Sequence, residues 1–323
     1  MNQPLRIWVL ADDRAGNVAQ ALGVAEALER PFEVKDIRYS PLARLPNAIQ
    51  GATRLGVTPE TRLALTPPWP DVVIAAGRRT APVARWIKRQ NPDALLVQIM
   101  NPGKSGADEF DLIAIPAHDC KLPSGDASNV MRTTGAPHRV TPARLAAARE
   151  VWAPRFAHLP RPLIALIVGG ATNRKPFPTS LATTLGEQVA KMAKGGSVLL
   201  TTSRRTGAEA EQALLAAIPE PRFVFTWDNT GDNPYMGYLA LADAIVVTGD
   251  SVSMCSEACA TLVPVYIFAP EEMVADKHAR LHSDLYVRGF AHPFEGLSKS
   301  STHPPLNAAH DVARAIEAKL KAR

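Results

Sequence analysis

The chain has 323 residues, 46% hydrophobic and 21% charged, a globular balance that excludes a disordered tail or a fibrous repeat and sets a scale of about two domains. Its net charge of +5 comes from 36 basic and 31 acidic residues mixed along the chain, a mild bias toward anionic ligands and weak ground for nucleic acid. Runs such as Leu163 to Val168 fall far short of the ~20 apolar residues of a bilayer-spanning helix, so no transmembrane span is expected.

Leu5 to Ala11 is a short apolar run that breaks at Asp12-Asp13-Arg14-Ala15-Gly16-Asn17, after which Val18 to Leu28 carries apolar residues at helical spacing. Phe32 to Ile37 reads as a strand. Asp71 to Ala76 leads through Gly77-Arg78-Arg79-Thr80 into a helix near Ala81 to Arg89, and Ala94 to Met100 and Asp111 to Pro116 are two further strands. Strands apolar on both faces that alternate with helices indicate a parallel sheet covered on both sides. One α/β domain is therefore expected over residues 1–140. An Ala-rich helical piece, Pro142 to Trp152, lies in a proline-flanked segment, 141–161, that reads as a linker.

The alternation then restarts for a second parallel α/β domain over 162–323. Leu163 to Val168 runs into Gly169-Gly170, a helix spans about Pro178 to Ala193, and Ser197 to Thr202 is followed by a loop and a helix to Ala217. Arg222 to Thr226, Ala244 to Thr248 and Val263 to Phe268 are the later strands. The last helix, Asn307 to Ala322, fits against either half.

In open parallel sheets, ligands bind beyond the carboxyl ends of the strands, where loops enter helices. Three loops hold that position here. The first, Asp12 to Gln20, lacks G-x-G-x-x-G, which argues against a dinucleotide domain; Asn17 suits a helix N-cap there. The second, Gly169-Gly170-Ala171-Thr172-Asn173-Arg174-Lys175, joins backbone freedom to two cations and suits a phosphate. Thr202-Ser203-Arg204-Arg205-Thr206 repeats the hydroxyl-plus-cation composition at the next strand end. In the third, Thr248-Gly249-Asp250-Ser251, Ser251 or Asp250 is a candidate cap, and Ser253 and Glu257 share one helix face. Asp250 beside a phosphate requires a compensating arginine.

Two other constellations are weaker. Gly249-Asp250-Ser251-Val252-Ser253 is near the G-x-S-x-G nucleophile elbow, with His278, His282, His292 and His303 downstream as bases, but the final glycine is missing. His118-Asp119-Cys120 and Cys255/Cys259 do not supply the converging ligands of a zinc site, so no metal is expected and the cysteines read as buried thiols. Thiols without a disulfide framework, and an N-terminus unlike a signal peptide, give a cytoplasmic expectation, with peripheral membrane association left open.

The segments Leu10 to Asn17 with Gln20, Thr202 to Thr206, Asn233-Pro234-Tyr235, and Val247 to Met254 with Glu257-Ala258 and Pro264-Val265-Tyr266 resemble the "elongated mitochondria" family of mitochondrial fission proteins, which has many bacterial members. The chain departs from that pattern at Leu262-Val263 and at Asp12-Asp13. The resemblance implies a GT-B-like α/β fold, two Rossmann-like parallel-sheet domains facing each other across a cleft. It implies a metal-independent glycosyltransferase that takes a nucleotide-sugar and an unidentified acceptor and needs no cofactor. The alternatives are a nucleotide-sugar epimerase on the same scaffold or a non-catalytic adaptor.

On this expectation Asp13, or less directly Asp12, is the general base, with Arg14, Gly16, Asn17 and Gln20 on the acceptor-side loop. Glu257 holds the ribose. Gly169, Gly170, Asn173, Ser203, Thr248, Ser251 and Ser253 surround the diphosphate beside Asp250, and Arg174, Arg204 and Arg205 offset its charge.

Overall fold

The computed structural model describes residues 5–103, 105–119, 128–295 and 303–323. In chain order the elements are β1 (Ile7–Ala11), α1 (Ala15–Ala27), β2 (Glu33–Asp36), α2 (Asn47–Gln50), α3 (Pro59–Ala64), β3 (Val72–Ala76), α4 (Ala81–Gln90), β4 (Leu95–Ile99), β5 (Leu112–Pro116), β6 (Val130–Thr133) and α5 (Pro142–Phe156). There follow β7 (Leu163–Ile167), α6 (Thr179–Met192), β8 (Ser197–Thr201), α7 (Ala208–Ala217), β9 (Arg222–Phe225), α8 (Tyr235–Leu241), β10 (Ala244–Thr248), α9 (Val252–Ala258), β11 (Val265–Phe268), α10 (Asp276–Val287), β12 (His292–Pro293) and α11 (Ala308–Lys321). They form two compact units, Met1–Arg139 with Asn307–Arg323, and Val140–Leu306.

Unit 1 is a six-stranded parallel sheet in the order β2-β1-β3-β4-β5-β6. The pleat sends alternate side chains to opposite faces. Ile7 and Val9 of β1 therefore enter one core with Val24 of α1 and Val312 and Ile316 of α11, whereas Trp8 and Leu10 enter the other with Val83 and Ile87 of α4. The final helix thus packs on α1, where an Arg30 Nε to Glu317 Oε1 bond of 2.8 Å marks the contact. The edge strand Val130–Thr133 and the short helices α2 and α3 carry no strong apolar periodicity and escape the sequence reading.

Unit 2 repeats the plan in the order β12-β11-β10-β7-β8-β9, again all parallel. Ile164, Leu166 and Val168 pack beneath α6 and α7, and Leu163, Ala165 and Ile167 pack beneath α5, α8 and α10. The Ala-rich helix α5 contributes to this second core. Trp152 stacks on Phe156 at 5.6 Å, and Phe156 meets Phe223 at 5.0 Å and Tyr238 at 5.7 Å. A second edge strand, His292–Pro293, is two residues long, below the length at which a sequence pattern exists.

Each sheet reverses its strand order once, between β1 and β3 in unit 1 and between β7 and β10 in unit 2. At such a reversal the connections leave to opposite sides and open a crevice at the strand carboxyl ends. The loops after β1 and β3, and those after β7 and β10, therefore hold the ligand-binding position of each unit.

The packing of α5 on α8 is tight, because a Cβ at Gly237 would collide with the Trp152 ring. Gly237→Ala is expected to destabilise unit 2 by about 1–3 kcal/mol through overpacking, and Trp152→Ala by about 3–5 kcal/mol through loss of a buried ring. In the double variant, urea unfolding should show a loss smaller than the sum of the two, since the cavity admits the methyl group.

Candidate functional site

The unit 2 switch point is built around a buried carboxylate. β7 ends in Val168-Gly169-Gly170, β10 ends in Thr248-Gly249-Asp250, and the Asp250 side chain lies against Gly169, where a Cβ would collide with it. Only glycine fits there. Asp250 is 3% exposed, and Arg205 from the loop after β8 donates Nη1 to its Oδ2 at 2.5 Å and to the Ala171 carbonyl at 3.1 Å. Arg205 is thus the arginine that compensates Asp250, and its Nη1 is bonded within the protein. A charge buried this deeply costs several kcal/mol unless it is paired, and the guanidinium supplies the pair.

The glycines likewise do something other than the sequence suggests. The Gly169 amide donates to Thr248 Oγ1 at 2.7 Å, and its carbonyl accepts from Ser203 Oγ and from Thr206 Oγ1 at 3.0 Å. Both glycines are buried, and Gly170 has φ +117° with its Cα against the Arg205 backbone. They serve close packing between the three loops, so the Gly169 N–H is not available to a phosphate. Asn173, Arg174 and Arg204 are exposed, and among the described residues no ion pair engages either arginine.

Ser251 caps the seven-residue helix α9, its Oγ accepting from the Met254 amide at 3.4 Å. Ser253 is half-buried one turn before Glu257. Glu257 is neither a solvated surface residue nor paired with Ser253. Its Oε2 accepts a 2.6 Å bond from the Tyr235 hydroxyl of α8. Burial raises the Glu257 carboxyl above its ordinary value, a shift the Tyr235 bond opposes, and burial together with Glu257 raises the Tyr235 phenol well above its own.

Two histidines of α10 close the same site. His282 bonds the Gly249 carbonyl through Nε2 at 2.9 Å and packs against the Gly249 Cα. Burial lowers its pKa from 6.5 to about 4, so the ring is neutral and donates to that carbonyl near pH 7. His278 lies within electrostatic range of Asp250 and Arg205, and burial lowers its pKa against the pull of Asp250. Among the described residues no imidazole bonds Ser251 Oγ, so the arrangement a serine nucleophile needs is not built. Tyr235 and His282 matter to the site through partners distant in sequence; the sequence offers Tyr235 through the Asn-Pro-Tyr segment and His282 only as a candidate base for Ser251.

At the unit 1 switch point, Asp12 organises its own loop. Its Oδ1 accepts from the Arg14 amide at 3.0 Å and its Oδ2 from Asn17 Nδ2 at 2.8 Å. Helix α1 consequently begins at Ala15 with Arg14 as the cap residue, and Asn17 is not the N-cap. Asn17 also lies against Gly77 of the loop after β3, at φ +81°. Asp13 is exposed and ion-paired with Arg79, whose guanidinium stacks over the Tyr39 ring at 4.4 Å. Gly16 faces open space, whereas Gln20 is buried. His118 and Asp119 are described, but Cys120 lies outside the described residues; Cys255 and Cys259 are buried free thiols. Among the described residues no group of three or more His, Cys, Asp or Glu side chains could hold a metal ion, and no helix is long and apolar enough to cross a membrane.

Two measurements probe this framework. Arg205→Ala strands the Asp250 charge and should cost about 3 kcal/mol in urea unfolding, the low end for a buried pair because the guanidinium is partly exposed. Adding Asp250→Asn should restore most of that loss. For His282, the folded state favours the neutral ring, so its contribution is complete above pH 6.5 and is lost as pH falls toward 4. Wild type should lose about 3 kcal/mol across that window through this group, and His282→Asn should show a correspondingly shallower acid slope.

Residues 15–320 match the family model described as mitochondrial fission ELM1. A protein of Arabidopsis thaliana described as mitochondrial fission protein ELM1 is 34% identical over 278 residues, which is 79% of this chain; the chain spans 65% of that relative's length. An uncharacterized protein of Rickettsia prowazekii is 29% identical over an alignment covering 98% of this chain and 99% of its own. Among solved structures, the chain is similar to the UDP-GlcNAc 2-epimerase of Neisseria meningitidis bound to UDP-GlcNAc, with TM-score 0.55, 11% identity, and coverage of 99% and 100% of the two chains. It is also similar to the UDP-GlcNAc 2-epimerase of Methanocaldococcus jannaschii, with TM-score 0.52, 12% identity, and coverage of 97% and 100%. At these identities the likeness is one of fold, and it agrees with a GT-B-like fold of two Rossmann-like units. Because the family match takes in nearly all of both units, this protein belongs to the mitochondrial fission ELM1 family.

Proposed function

We propose that unit 2 binds a nucleotide-diphosphate-sugar at the β7/β10 switch point and that the protein transfers the sugar to an acceptor without a resident metal. The observation that carries this reading is the charge arrangement there. Asp250 is neutralised internally by Arg205, which leaves Arg174 and Arg204, exposed in the loops after β7 and β8, as net positive charge for a diphosphate. Ser251 and Ser253 add hydroxyls, and the Glu257 carboxyl, oriented by Tyr235, accepts from the ribose. During transfer the arginines offset charge developing on the leaving nucleotide. Asp13, ion-paired with Arg79, is the proposed base for the acceptor, while Asp12 keeps the loop in shape.

Epimerisation of the same nucleotide-sugar is the second reading, supported by the fold shared with proteins described as UDP-GlcNAc 2-epimerases. Calorimetric titration with UDP-, GDP- and ADP-sugars is expected to show binding of at least one. Arg174→Ala and Arg204→Ala should each weaken it roughly tenfold or more. NMR of the products separates the two reactions, because an epimerase alters the sugar with no acceptor added. Folded protein that binds none of the three would remove both.

A further inference from the structure

Four of the five tryptophans are accounted for by packing. Trp8 and Trp152 are buried, Trp8, Trp69 and Trp86 form a chain of edge contacts at 5.9 and 5.5 Å, and Trp152 stacks on Phe156. Trp227 is different. It is 62% exposed in the loop after β9, and among the described residues no ring or cation packs on it. Its chain neighbours Thr226, Asp228 and Asn229 are polar.

The indole nevertheless stands on a fixed base. The Trp227 amide donates to Thr202 Oγ1 at 3.0 Å, and that hydroxyl donates to Glu211 Oε2 at 2.6 Å. On the other side, Thr226 Oγ1 lies 2.7 Å from Asp228 Oδ1, and the Asn229 amide donates to the Thr226 carbonyl at 3.2 Å. Ser203, next to Thr202, donates to the Gly169 carbonyl. A bonded ledge therefore runs along the strand carboxyl ends from the β7/β10 switch point to the indole.

β8 alone separates β9 from β7, so the ledge spans two strand spacings, about 10 Å. A nucleotide covers such a distance between its phosphate and its base. A protein interface centred on an aromatic residue surrounds it with further apolar groups, whereas a polar rim about one flat ring suits a planar polar ligand. We propose that Trp227 is the stacking platform for the base of the nucleotide bound at the unit 2 switch point. This rests on the nucleotide reading above and adds the residue that receives the base end.

The test uses the whole chain with UDP, GDP and ADP, and with inorganic pyrophosphate as a probe that lacks a base. Nucleotide binding is expected to alter tryptophan emission in wild type, with the same Kd as calorimetry. Trp227→Phe should keep the affinity within a few-fold and lose the emission change. Trp227→Ala should bind the nucleotide roughly 5- to 150-fold more weakly, with pyrophosphate affinity unchanged. Equal nucleotide affinity in wild type and Trp227→Ala would overturn the assignment and leave the nucleotide reading standing. Absence of nucleotide binding to wild type would overturn both.

Discussion

The site in unit 2 depends on one constraint, the burial of the Asp250 carboxylate. A carboxylate with almost no exposure survives only if a cation is brought to it, and Arg205 reaches it from a different strand end. That pair draws the loops after β7, β8 and β10 together. Gly169 must lack a side chain because Asp250 occupies the space, Gly170 because the Arg205 backbone does, and Ser203 and Thr206 saturate the Gly169 carbonyl that results. His282 holds the same turn from the side of α10 by taking the Gly249 carbonyl. What looks in one dimension like a glycine-rich phosphate loop is a lock between three loops.

The lock decides which polar groups at these strand ends are bonded internally. With Arg205 Nη1 bonded to Asp250 and the Gly169 amide to Thr248, the other polar groups at these strand ends are the exposed Arg174 and Arg204, the serines of the β10–α9 turn, and the Glu257–Tyr235 pair. Unit 1 uses the same device with lighter parts. Asp12 satisfies its own loop, Asp13 faces Arg79 across the β1/β3 switch point, and the guanidinium lies on Tyr39. In both units a carboxylate at the end of a strand is paired with an arginine from a neighbouring connection. The pairing fixes loop geometry in a region where β-sheet hydrogen bonds have ended.

Family membership and fold constrain function to different degrees. The chain lies in the mitochondrial fission ELM1 family and is similar in fold to two UDP-GlcNAc 2-epimerases, but one scaffold of this kind carries many chemistries. Charge at the switch point is the local feature that the fold leaves open. Asp250 is neutralised from within by Arg205, and among the described residues no ion pair engages the exposed Arg174 and Arg204, so these loops present net positive charge.

The central strands and the order of helices were legible from sequence because their cause is local. LRIWVLA, DVVIAA, LIALIV and AIVVT are apolar on both faces, as only strands in a covered parallel sheet are, and the loops that break them stand at the carboxyl ends. So were the Ser251 cap and the identity of the loops that carry the candidate site. Everything that depends on which distant group a side chain meets was decided by the tertiary structure. Arg205 finds Asp250 45 residues away, Tyr235 finds Glu257 22 away, and Asn17 turns back to Asp12 instead of capping α1. The side of α11, the core role of α5 and the two-residue strand β12 belong to the same class. Periodicity records which faces are apolar, whereas pairing among charges and edges is set only when the sheet brings its strand ends together.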